Sequence, residues 1–213
     1  MQTSNIGSTA TFDIPRSATI PADNTQHKVS IGIINLKPEF EYETVPKKNA
    51  YAYIKAKVTN TSEYSLLAGP ANVFLDNNFV AKTDLKSYSP QEEFYCSLGV
   101  DPAIRIEYKP IRKYKEQSGL ISKSTTTTYE QLIEIKNTTA NNIKLLLSEN
   151  LPLTNDEKIT VKLIEPVLKN NQNVKLNKSN NIEFNLVIPS SKTEELKIKY
   201  SIDHPADKEI EFF

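Results

Sequence analysis

Near the end of the chain, apolar residues recur at every second position: Ile182, Phe184, Leu186 and Ile188, then Leu196, Ile198, Tyr200 and Ile202. A period of two suits an extended strand with one packed face and one wet face, because successive side chains on a strand point to opposite sides. The same alternation sets Ala52, Ile54, Ala56 and Val58 against Tyr51, Tyr53, Lys55 and Lys57, and returns in Ile159, Val161 and Leu163. Signals for helices are nearly absent. The chain is therefore expected to be all-β.

Further strands are expected at 27–36, where Val29, Ile31 and Ile33 alternate with Lys28, Ser30 and Gly32, and at 40–45, 125–136 and 143–147, with a weak one at 174–176 inside an Asn-rich loop. Val73-Phe74-Leu75 and Phe79-Val80-Ala81 flank Asp76-Asn77-Asn78, residues that tolerate positive φ and so predict a hairpin turn. A second hairpin is expected between 88 and 109. There Phe94, Cys96 and Leu98 alternate in one strand and Ile104, Ile106 and Tyr108 in the next, with Gly99, Asp101 and Pro102 as the turn between them. The Asp101 carboxylate is expected to accept the backbone N–H of Ala103.

A length of 213 residues suits either one elongated β domain or two tandem antiparallel β-sandwich domains of the immunoglobulin-like kind. An internal echo favours two. Val58-Thr59-Asn60-Thr61-Ser62 and Ile135-Lys136-Asn137-Thr138-Thr139 both end an amphipathic strand with Asn, Thr and a hydroxyl residue. The boundary falls in the basic, Pro110-containing segment 109–119, giving domains 1–112 and 113–213. Charge does not distinguish them, since each half carries as many basic as acidic residues. That balance argues against a nucleic-acid partner.

The candidates for chemistry each meet a plainer reading. His27 and His204 have no neighbouring Cys or His at ligand spacing, so both are expected on the surface and no metal site is expected. Cys96 alternates with Phe94 and Leu98, the place of a small core residue rather than of a nucleophile. Glu92-Glu93 and Asp156-Glu157 are sequence neighbours that point to opposite faces and cannot share a proton. The five glycines are scattered singly, so no phosphate-cradling loop is formed and no cofactor is expected. The lone cysteine permits no internal disulfide and favours a cytoplasmic setting. No 18-residue apolar run predicts membrane insertion. Sequons at Asn60, Asn137 and Asn177 are expected to go unused. What remains are surface residues suited to a partner: the exposed-face tyrosines Tyr51 and Tyr53, which could take a sugar or a protein, and the basic run Arg112, Lys113 and Lys115 around Tyr114, suited to an acidic partner.

The segments Ala10 to Arg16, His27 to Ile31, Phe40 to Pro46, Asn60-Thr-Ser62, Gly69 to Leu75, Phe94 to Asp101 and Thr125 to Tyr129 resemble the C-terminal domain of mucoidy inhibitor A-like proteins, from about Thr9 to the end of the chain. The resemblance implies a β-rich domain that follows an N-terminal domain and a coiled coil, the latter able to set an oligomer. It brings no catalytic residues with it. The functional expectation is a non-catalytic protein-interaction or scaffold module, the alternatives being a carbohydrate or cell-envelope-associated binding module and a hydrolase built on Cys96 or Asp101.

Overall fold

A computed structural model describes residues 3–6, 9–12, 19–75, 77–118 and 124–206. Among them there is no helix. Fourteen strands follow in chain order: β1 (Thr3–Ile6), β2 (Thr9–Phe12), β3 (Pro38–Val45), β4 (Asn49–Thr59), β5 (Gly69–Leu75), β6 (Asn78–Leu85), β7 (Glu93–Tyr108), β8 (Arg112–Ser118), β9 (Ser124–Asn137), β10 (Ile143–Asn150), β11 (Thr160–Glu165), β12 (Val174–Leu176), β13 (Asn181–Ile188) and β14 (Thr193–Pro205). The main sheet has the order β11-β14-β9-β7-β4-β3-β10-β13-β12, with β8 beside β9, while β1-β2 and β5-β6 are separate ribbons. β3 lies parallel to β10, whereas β10-β13, β12-β13, β9-β14, β11-β14, β7-β9 and β8-β9 are antiparallel.

Two compact units divide the chain: residues 1–39 with 56–96 (unit 1) and 40–55 with 97–213 (unit 2). The division falls inside β4 and β7 rather than in a linker. Arg112, where a domain end was expected, is instead the first residue of β8. In unit 2 the alternation of the sequence becomes the core. Ile133 and Ile135 of β9, Leu145 and Leu147 of β10, Ile182 and Ile188 of β13, and Ile198 and Ile202 of β14 are all almost fully buried. The sheet of this unit curls. The Tyr108 hydroxyl on β7 donates to Glu149 Oε1 on β10 at 2.9 Å, although β4 and β3 lie between those strands in the sheet. Laid flat, three strand spacings would separate them by roughly 14 Å. Among the described residues of unit 1 the buried apolar ones are Ala56, Val58 and Phe94, and Tyr88 stacks on Phe94 with ring centroids 4.5 Å apart.

The internal echo is a repeated structure. Asn60 and Asn137 are both completely buried. Asn60 Nδ2 donates to the carbonyls of Tyr64, Tyr88 and Ser89, while its Oδ1 accepts from the Ser62 N–H and hydroxyl. Asn137 Nδ2 donates to the carbonyls of Asn141, Ile188 and Pro189, and its Oδ1 accepts from the Thr139 N–H and hydroxyl. Adding 77 carries Asn60, Ser62, Tyr64 and Leu66 onto Asn137, Thr139, Asn141 and Ile143; adding 100 carries Tyr88, Ser89, Gln91 and Glu92 onto Ile188, Pro189, Ser191 and Lys192. The strand pairing obeys the same shifts. Leu66 bridges Tyr88 as Ile143 pairs Ile188, and Gly69 pairs Leu85 as Leu146 pairs Asn185. Even the positive φ of the returning turn repeats, at 66° for Gln91 and 58° for Ser191. A buried Asn is suited to the task because its amide offers two donors and one acceptor to backbone groups that would otherwise be orphaned.

Three expectations are corrected. The hairpin at 88–109 does not close: β7 is one strand from Glu93 to Tyr108. Gly99, Asp101 and Pro102 form an irregularity inside it, with Gly99 at φ 81°. The inward-facing parity slips from even positions at Leu98 to odd at Asp101 and back to even at Ile104, as a bulge requires. The expected strand at 27–36 pairs with nothing among the described residues, and Ile31 and Ile33 stand 47% and 82% exposed. Alternation makes a strand possible, but a neighbour's hydrogen bonds make one. His204 is buried rather than on the surface, its Nδ1 2.9 Å from the carbonyl of Pro205. In the turn of the hairpin at 73–81, Asn77 has φ 65°, as expected, and Asp76 lies outside the described residues.

Candidate functional site

The outward face of unit 2 carries a trough. β3 and β10 pair in the parallel register Tyr42↔Leu145, Glu43↔Leu146 and Thr44↔Leu147, which sends Tyr42, Thr44, Leu145 and Leu147 inward and leaves Glu43 and Leu146 side by side on the outside. Two adjoining grooves of about 390 Å³ and 310 Å³ share Leu146 as their floor. The first reaches across to β4 and is lined by Tyr53, Asn49, Lys48, Glu43 and Ser148. The second extends over β13, past Lys144, Glu41, Asn185 and Val187. Asn49 Nδ2 donates to the Tyr53 hydroxyl at 3.2 Å, which fixes the edge of that ring. Lys55 Nζ is hydrogen-bonded to Glu43 Oε2. Tyr53 is half-buried and Tyr51 is 54% exposed.

The basic run splits by side-chain direction. Tyr108 turns inward, and Lys109 is taken up by Glu107 and Glu134 at 2.6 Å and 3.5 Å. Arg112, Lys113, Tyr114, Lys115 and Glu116 of β8 are all exposed. Arg112 lies 3.7 Å from Glu130, and the Lys113 ammonium sits 5.6 Å from the centre of the Tyr129 ring, a cation–π distance. Among the described residues β8 pairs with β9 alone.

The interior of unit 2 holds a polar cluster that the alternation in the sequence did not single out. Glu149 follows Leu145 and Leu147 at inward positions and is 5% exposed. Its Oε1 accepts from Tyr108, while Oε2 and the Oε1 of buried Gln131 have no hydrogen-bond partner. Burial pushes the Glu149 carboxyl above its ordinary range, outweighing the lowering effect of the Tyr108 hydroxyl and the Lys47 charge. Burial also raises the Tyr108 phenol, and it pushes Tyr200, stacked on Tyr129 at 5.1 Å, up to about 12.

Asp101 behaves as its sequence context predicts, its Oδ1 accepting the Ala103 N–H at 2.9 Å, and it does more. Its Oδ2 accepts from the Tyr42 hydroxyl, also at 2.9 Å, tying β7 to β3. Cys96 is half-buried, and burial raises its thiol, which lowers the thiolate fraction a nucleophile needs. Glu93 pairs with Lys57 at 3.1 Å, while Glu92 Oε2 accepts the Ser89 N–H. His27 is exposed and bonds Asp23 at 2.7 Å. Among the described residues no group of three or more His, Cys, Asp or Glu is placed to hold a metal ion, and no helix is long and apolar enough to cross a membrane.

Comparison with known proteins places the chain. It is 34% identical over 224 residues to Protein F37C4.5 of Caenorhabditis elegans, an alignment covering 100% of this chain and 39% of that protein. The chain thus spans about two fifths of the length of the curated relative it matches. No solved structure matches. Residues 2–206 match the family model of a domain of unknown function, DUF4139, and the chain belongs to that family.

Proposed function

We propose that this domain is a non-catalytic protein-interaction module within a longer protein, and that β8 is the strand through which it takes an acidic, extended segment of a partner. The observation that carries the reading is the position of β8. Among the described residues it is held on one side by β9, and it carries Arg112, Lys113 and Lys115, all exposed, with Glu116 as the one acid of the strand itself and Glu130 of β9 3.7 Å from Arg112. A strand held by one neighbour offers backbone N–H and C=O groups to an added strand, and its charge selects the sequence that adds. The test compares the full-length protein with its R112E/K113E/K115E variant in affinity capture from the native lysate. The expected result is loss of an acidic partner from the variant. The same set of captured proteins in both would remove the proposal.

The proposal takes the domain as the C-terminal part of a protein of the mucoidy inhibitor A-like kind, in which an upstream coiled coil sets the oligomer. The 39% share of the worm relative supports a longer protein. It also takes the two units as related immunoglobulin-like sandwiches. The shared Asn corner and the shared pairing shifts support this. An experimental structure in which β5-β6 does not face β4 and β7 as a second sheet would refute it.

A further inference from the structure

We propose that the trough over β3, β4, β10 and β13 binds a neutral saccharide chain, with one sugar ring laid on Tyr53. This site is separate from β8, and its success or failure is read independently.

Three features converge on that chemistry. The first is what the trough cannot offer. The strands beneath it are hydrogen-bonded to one another, β3 to β10 and β10 to β13, so their backbone groups are already engaged. An extended peptide docked there would find no ladder to join. The second is what the trough does offer. An aromatic ring, anchored at its hydroxyl by Asn49, stands beside a carboxylate at Glu43, a hydroxyl at Ser148 and an amide at Asn185, over the aliphatic floor of Leu146. A pyranose has the matching surfaces: an apolar C–H face for the ring and the floor, and hydroxyls around its rim that both donate and accept. The third is charge. Glu41 and Glu43 line the grooves together with Lys48 and Lys144, and Glu43 is paired with Lys55 beside it, so charges of both signs are interspersed and the trough presents no single-sign field to an ionic ligand. Its two grooves share Leu146, which suits successive rings of a chain rather than a single monosaccharide.

The test is isothermal titration of the full-length protein with cellohexaose, maltohexaose, laminarihexaose and chitohexaose. At least one is expected to bind. Tyr53→Ala should weaken that binding roughly tenfold, because the stacking face is lost. Tyr53→Phe keeps the face and should stay within about threefold. Leu146→Arg, which fills the floor of both grooves, should abolish binding, while the β8 charge reversal should leave it unchanged. No binding by any of the four at about 10 mM sugar overturns the proposal. So does binding that Tyr53→Ala and Leu146→Arg leave intact, or a Leu146→Arg variant that loses a protein partner when no sugar binds.

Discussion

Asn60 and Asn137 sit in corners with the same bonds and the same register, yet the hairpins that follow them are held very differently. In unit 2, β10 lies between β13 and β3, and β13 between β10 and β12. In unit 1, the counterparts β5 and β6 pair only with each other among the described residues, and neither strand has a buried residue. Among the described residues unit 1 contributes Ala56, Val58 and Phe94 to the buried apolar set, and unit 2 contributes the rest. A corner built from local hydrogen bonds can thus be repeated without repeating the core behind it. The Asn fixes where the chain turns, and long-range pairing decides how stable the result is.

Removing each Asn should affect the two units differently. Asn137→Ala strips five side-chain hydrogen bonds from a fully buried site and orphans backbone groups of Asn141, Ile188 and Pro189. It should cost about 3 kcal/mol or more in urea unfolding. Asn60→Ala strips the equivalent bonds, but with the smaller buried set of unit 1 behind it the damage should stay local. Hydrogen exchange should accelerate at 56–96 while β10, β13 and β14 keep their protection. If both variants lose protection across both units alike, the units do not differ in the way their cores suggest.

Among the described residues the one buried carboxyl, Glu149, lies in unit 2 and makes the stability of that unit depend on pH. Because burial raises the Glu149 carboxyl, the folded state holds that proton more tightly than the unfolded state does. Its contribution to stability is full below the unfolded value of roughly 4.3 and is lost as pH rises through the raised folded value. Glu149→Gln cannot ionise and keeps an oxygen for the Tyr108 hydroxyl. It should match the parent near pH 4 and exceed it at pH 8 by on the order of 1 kcal/mol or more. A variant whose stability tracks the parent at both pH values would show that Glu149 ionises without cost. Asp101→Ala should cost about 1 kcal/mol, since it releases the Ala103 N–H and the Tyr42 hydroxyl. An unchanged melting curve would contradict that.

Much of this was legible in the residues, and the failures have physical reasons. β4, β9, β13 and β14 follow from alternation, and the paired corners follow from Asn with a hydroxyl two residues on. Gly99, Asp101 and Pro102 looked like a turn because a bulge and a hairpin draw on the same residue types; Gly99 takes a positive φ in either case. Val29, Ile31 and Ile33 alternate as well as any strand, but pairing is a property of two segments, and one segment cannot display it. The trough arises where β3 meets β10, more than a hundred residues downstream, so of its lining only Tyr53 could be singled out. Glu149 could have been found. Its parity with Leu145 and Leu147 places it inward, against the habit of reading Ser-Glu-Asn as the wet end of a strand.

The smallest expected effect concerns the open side of unit 1. Pro70 of β5 stands where Leu147 stands in β10, by the same shift of 77, and Leu147 is one of the three residues that receive β3. A proline has no N–H to offer an approaching strand. Pro70 therefore blunts, in unit 1, the position that unit 2 uses to extend its sheet, which is a common means of keeping edges from pairing indiscriminately. Pro70→Thr restores the donor and keeps a residue suited to a strand. Its effect on unfolding should be no more than about 0.5 kcal/mol, because Pro70 is exposed. Its effect on association should be visible, as concentration-dependent growth in mass by light scattering that the parent does not show. If Pro70→Thr stays as monodisperse as the parent up to high concentration, the missing donor is not what keeps β5 single. The difference between the two hairpins would then rest on their side-chain faces, where β10 and β13 carry inward leucines and isoleucines and β5 and β6 expose Phe74 and Phe79.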